Sequence, residues 1–139
     1  MNKLAKLIPL LFLTFVCFCG FGQSVKPAKP AFSNFVKSNG LLFVSGQIGT
    51  SITSESPLTF ADETESAIKK IVEILRMNKL ATSNVVSCTV YLTDLNQFEE
   101  FNNVYKKYFS SPFPSRTCIV VSQLVQQAKI EISVIASLK

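Results

Sequence analysis

The 139-residue chain contains no histidine and no tryptophan, and its charged residues amount to only 17%. The arginines are Arg76 and Arg116 alone, and the aspartates Asp62 and Asp94 alone. Without histidine there is no Ser-His-Asp triad and no His-containing metal site. Any chemistry must come from those few residues, from the glutamates and hydroxyls, or from backbone groups. The net charge of +5 is mild, and the lysines are scattered rather than gathered into a basic stretch. That pattern does not suit a nucleic-acid partner, which needs a concentrated phosphate-binding surface.

The apolar residues, 47% of the chain, are partly concentrated at the front. Lys3 and Lys6 precede an uncharged run from Leu7 to Val16, which ends in Gly20-Phe21-Gly22 before the polar Gln23-Ser24. A basic start, a short apolar stretch and a small-x-small site predict a secretory signal peptide over residues 1–22. The run is too short for a good membrane span, which needs roughly 20 residues, so no stable membrane insertion is expected after cleavage. Lipidation at Cys17 or Cys19 fits poorly, because Val16 and Phe18 stand where a small residue is needed. Export to the periplasm or medium is therefore expected. Without residues 1–22 the charge falls from +5 to +3, two lysines fewer against the same nine acidic residues.

Residues 23–31, with Pro27 and Pro30, read as an extended leader, and residues 32–139 as one domain. The apolar patterns predict strands over Phe32–Val36 and Leu41–Ser45, joined by an Asn39-Gly40 turn. A surface loop should run from Gly46 to Phe60, and a helix from Asp62 to Asn78. That helix starts among Asp62, Glu63 and Glu65, which favour its dipole, and buries Ile68, Ile71, Val72 and Leu75. Arg76 near its end reads as a solvated dipole partner. Val85–Leu92 is a β-branched strand. A second helix opens at Thr93-Asp94-Leu95-Asn96 and buries Phe98, Phe101, Val104, Tyr105 and Tyr108. Strands over Arg116–Ser122 and Lys129–Ala136 complete the order β-β-α-β-α-β-β. In the last strand Ile130, Ile132, Val134 and Ala136 share one face, and Glu131, Ser133 and Ile135 the other. Strands of mixed direction with both helices on one face make a two-layer α+β sandwich.

Taken singly, the candidate residues stay ambiguous. Ser45-Gly46-Gln47 suits an anion-accepting turn or a plain strand end. Arg116, after Pro112-Phe113-Pro114-Ser115, suits a carboxylate fork or a structural ion pair. Glu131 suits a proton donor or acceptor, or a solvated strand position. Cys88 and Cys118 do not make a disulfide framework.

The ordered combination is more specific. Leu42-Phe43-Val44-Ser45-Gly46-Gln47-Ile48, Val90-Tyr91-Leu92-Thr93-Asp94-Leu95-Asn96-Gln97-Phe98, Phe113-Pro114-Ser115-Arg116-Thr117-Cys118 and Lys129-Ile130-Glu131-Ile132 follow one another. Together they resemble the Rid (reactive intermediate deaminase, YjgF) family, from about Phe32 to Ala136. The resemblance implies a chorismate-mutase-like sandwich and a homotrimer with sites between subunits. It also implies hydrolysis of 2-enamines and 2-imines, such as 2-aminoacrylate, to 2-oxoacids and ammonia, without cofactor or metal. By the same resemblance Arg116 clamps the substrate carboxylate and Cys118 binds through its backbone. Glu131 positions water or moves a proton, Ser45 and Gly46 lie beside the substrate, and Asn102 shapes the second helix and the interface. One departure stands out. Active members of the family usually carry Gly-Pro-Tyr where this chain has Pro30-Ala31-Phe32, so Phe32 keeps the ring at the substrate and lacks the hydroxyl. Such a hydrogen bond is worth about 0.5–1.5 kcal/mol. A non-catalytic trimer that binds small carboxylates is the alternative.

Overall fold

The computed structural model describes residues 31–50 and 58–139. The expected signal peptide, nearly all of the leader and the middle of the Gly46–Phe60 loop lie outside the described residues. Five strands and two helices follow in order: β1 (Phe35–Ser38), β2 (Leu41–Ile48), α1 (Phe60–Met77), β3 (Val85–Leu92), α2 (Phe98–Tyr105), β4 (Ser115–Val120) and β5 (Ile130–Ser137). They form a single sheet in the order β1-β2-β5-β3-β4. Only β3 and β4 are parallel, and α2 lies in the crossover that a parallel pair requires.

Alternation decides the layers. Ile130, Ile132, Val134 and Ala136 of β5 are all buried, with Leu42 and Val44 of β2 and Cys88, Val90 and Leu92 of β3 beside them. On α1 the residues Ala67, Ile68, Ile71, Ile74 and Leu75 meet this face, and on α2 Phe101, Val104 and Tyr105 do so. Both helices therefore cover one side of the sheet. The other side is open and carries Val36, Phe43 and Ile119 exposed. The register keeps these in one surface, since Val36 pairs with Phe43, Phe43 with Ile135, and Ile119 with Tyr91.

Several details depart from expectation. β1 begins at Phe35 rather than Phe32, because the Ser33 carbonyl accepts from Ser45 Oγ at 2.6 Å and the Asn34 carbonyl from the Ser45 amide at 3.0 Å. Those bonds pull the chain into a bend before the strand. β2 does not stop at Ser45 but continues to Ile48 through a register shift between Val44 and Gln47. Ser45-Gly46 is thus a bulge inside a strand, not a turn that ends one. The Asn39-Gly40 turn forms as expected, with positive φ at both residues. α1 starts at Phe60, capped by Thr59, whose hydroxyl accepts from the Asp62 amide at 3.1 Å. Glu63 lies in the first turn as expected, and it has a further partner. It is buried, and its Oε1 accepts from the Lys129 amide at 2.6 Å, which fixes the entry to β5. Arg76 is exposed as expected, but its partner is Glu73, reached through two bonds of 2.9 and 2.8 Å.

Candidate functional site

Arg116 lies in the second position of β4, an edge strand of the sheet. It pairs in register with Cys88, and Cys88 with Val134, both residues of the buried face. Its side chain therefore leaves the sheet on the helix side and meets α2. There the guanidinium carbon sits 4.9, 5.0 and 5.8 Å from the ring centroids of Tyr105, Phe101 and Phe98. Such distances suit cation–π attraction. Arg116 Nη2 donates to Asn102 Oδ1 at 2.8 Å. Arginine has five N–H donors, so this bond leaves most of the fork for a ligand, and the residue remains exposed. Arg116, Asn102, Tyr105, Lys106, Phe113 and Pro114 line a cavity of about 320 Å³.

Cys118 follows on the same side of β4, since it pairs with the buried Val90. Burial pushes its thiol above the usual range, and the nearby Arg116 offsets this only in part. The Cys88 thiol, almost fully buried, is pushed up to about 12 by burial. Neither is a ready thiolate nucleophile, and both are free cysteines. An edge strand also leaves one row of backbone groups unpaired, the kind of donor the Cys118 position was expected to supply.

The remaining candidates gather elsewhere. Glu131 pairs with Ile48 on one side and Tyr91 on the other. It sits on the open face, half-buried, as the alternation of β5 requires. Its carboxyl group lies over Gly46 in the space that a Cβ there would fill. The bulge and the missing side chain together make room for the acid. Ser45 is half-buried, and its hydroxyl proton goes to the Ser33 carbonyl, which leaves only its lone pairs as acceptors. Phe32, 64% exposed, is next to Ser33 and so belongs to this second group.

The structure thus brings the expected residues together as two groups, not one. Arg116 and Cys118 are on the helix side of an edge strand. Ser45, Gly46, Glu131 and Phe32 are around the β2 bulge, with Glu131 on the open side. β4 and β5 are two strand spacings apart, about 10 Å, and the sheet itself separates Arg116 from Glu131. Asn102 takes a larger part than its expected helix-shaping role, because it holds Arg116 directly. Phe98, Phe101 and Tyr105 read from sequence only as the apolar stripe of a helix, and they also seat the guanidinium. Among the described residues no group of three or more Cys, Asp or Glu side chains could hold a metal ion. No described helix is long and apolar enough to cross a membrane.

A five-stranded mixed sheet with two helices on one face, carrying the four motifs in order, defines a Rid-type (YjgF) α+β protein. The model of the family described as Endoribonuclease L-PSP matches residues 23–138, and the chain belongs to this family. The chain is 35% identical over 118 residues to Protein HMF1 of Saccharomyces cerevisiae, covering 83% of this chain and 90% of that protein. It is 36% identical over 107 residues to the 2-iminobutanoate/2-iminopropanoate deaminase of Homo sapiens, covering 76% of this chain and 78% of the relative. Among solved structures it resembles E. coli TdcF with bound serine, with a TM-score of 0.71 and 31% identity, covering 79% of this chain and 90% of that one.

Proposed function

We propose that this chain is an exported imine and enamine deaminase whose site is completed between copies of itself. Water adds across the C=N bond of a 2-imino acid, the nitrogen gains protons, and the C–N bond breaks. One imino acid and one water give one 2-oxoacid and one ammonia. An imine carbon is already electrophilic, so the protein mainly needs to fix the carboxylate and deliver water with a proton. Arg116 fits the first task. Its fork is held by Asn102 and the α2 rings, and its remaining donors are free for a bidentate carboxylate. Glu131 fits the second, as a carboxyl group seated in the space left by Gly46.

The observation that carries this reading is the division of the site. Two groups that a carboxylate-bearing imine needs at once lie on opposite sides of one sheet, so Arg116 of one copy must meet Glu131 of another. The exposed apolar side chains Val36, Phe43 and Ile119 on the open sheet face support close packing of copies. A homotrimer is the assembly proposed. A human relative named as a 2-imino acid deaminase and an E. coli neighbour solved with bound serine support small amino-acid-like substrates. Export is proposed from the basic and apolar N-terminal pattern, and the family match begins directly after it, at residue 23.

Phe32 favours a second reading. With no hydroxyl at that position and its ring exposed, the trimer could bind carboxylates without efficient turnover. An oxidase-coupled assay separates the two, by following 2-oxoacid release from freshly made imines with the mature protein and with Arg116→Ala. The deaminase reading expects acceleration by the wild type that the variant loses. Tight binding of 2-oxoacids without any acceleration would favour the binding protein instead.

A further inference from the structure

The cavity beside Arg116 has a second cation. Of its lining side chains, Arg116 and Lys106 are basic and none is acidic. A single carboxylate balances Arg116, and Lys106 then remains. Lys106 makes no ion pair or side-chain hydrogen bond among the described residues, whereas Lys69 and Arg76 both have glutamate partners on α1. Lys106 follows the last residue of α2 with helical backbone angles, four positions after Asn102, which places the two one above the other on the same side of the helix. Asn102 holds the Arg116 guanidinium, and Lys106 lines the same cavity one turn further along. A basic residue at the end of α2 is favoured by the helix dipole in any case. Lys107 meets that requirement equally well, however, and does not line the cavity.

From this arrangement we infer that the preferred ligands are dicarboxylic 2-imino acids and their 2-oxo products, with Arg116 on the carboxylate next to the imine carbon and Lys106 on the side-chain carboxylate. The inference rests on the deaminase reading for its chemistry, but the charge preference of the cavity is a binding property that can be measured by itself. Hydrolysis is balanced as before, one imino diacid and one water giving one 2-oxo diacid and one ammonia. The apolar edges of Phe113 and Pro114 leave the middle of the ligand without hydrogen-bonding demands, which suits a methylene linker between two carboxylates. A neutral side chain gains nothing from Lys106, so the residue acts on selectivity between substrates.

The test compares imines made by oxidases from alanine and from glutamate, using the wild type, Lys106→Met and Lys106→Glu. Calorimetry with pyruvate and 2-oxoglutarate runs beside it. The wild type should favour the diacid in both measurements. Lys106→Met should lower the diacid-to-monoacid ratio of kcat/KM and of affinity by about 5-fold to 10-fold, as expected for one partly exposed charge pair. Lys106→Glu should invert the preference. Ratios unmoved by either substitution overturn the inference and leave the deaminase reading intact. Absence of turnover with every imine sinks that reading, while the calorimetric ratios still decide for or against Lys106.

Discussion

The two halves of the candidate site are built differently. Arg116 rests on three aromatic rings and an amide, all from α2 and all within its own chain. Glu131 depends on an omission, a bulge in β2 and a glycine without Cβ, on an open sheet face. The first half is a guanidinium already seated by its own chain. The second is a carboxyl group waiting for something to cover it. A cradle of packed rings tolerates small changes in its periphery, whereas a space defined by one missing methyl does not.

The largest effect is expected from removing the guanidinium at position 116. Arg116→Ala should lower kcat/KM in the oxidase-coupled assay by about 100-fold, corresponding to about 3 kcal/mol for a charge-assisted bidentate contact. Circular dichroism should remain native, because Arg116 is exposed. A loss of less than threefold would return Arg116 to the rank of a structural cation.

Gly46→Ala probes the other half, with the next largest effect. The new methyl meets the end of the Glu131 side chain, a group that can swing away, so the carboxyl should move and the fold should hold. Misplacement by about an ångström costs on the order of 10- to 100-fold in rate. Full activity in a folded Gly46→Ala protein would mean that the seat of Glu131 is irrelevant to turnover.

A smaller effect tests the cradle itself. The Tyr105 hydroxyl is buried without a hydrogen-bond partner among the described residues, and the Cys88 thiol beside it is too weak a partner to serve as one. Tyr105→Phe keeps the ring against Arg116 and removes the orphan group. Denaturant unfolding should show unchanged stability or a gain of up to about 1 kcal/mol. A clear loss would show that the hydroxyl has a partner in the assembled protein.

Much of the fold was legible because it follows from local pattern. The period-two run of β5, the three-four spacing of Ile68, Ile71 and Leu75, and the Asn39-Gly40 turn each specify their element directly. The departures occur where distant groups intervene. Glu63 read only as a dipole partner, because nothing local reveals that it also accepts from the Lys129 amide, 66 residues away. β2 seemed to end at Ser45 because a glycine reads as a stop, whereas its pairing with β5 carries it on to Ile48 through a bulge. Most of the candidate residues lie in the four ordered motifs, but their separation into two groups was not visible one residue at a time. That separation depends on which strands neighbour each other and on which face each residue takes. Lys106 carried no signal at all, since its role depends on a cavity formed with Phe113 and Pro114.

A working site is proposed to need Arg116 from one copy and Glu131 from another. Co-expression of Arg116→Ala and Glu131→Ala chains under separate tags, with isolation of the mixed oligomers, tests it directly. Each variant alone should be nearly inactive. A mixed three-membered ring always holds one site in which an intact Arg116 meets an intact Glu131 from a neighbour, about a third of the total, so activity should recover towards that fraction. Mixed oligomers no more active than the two variants measured separately would contradict a site shared between copies.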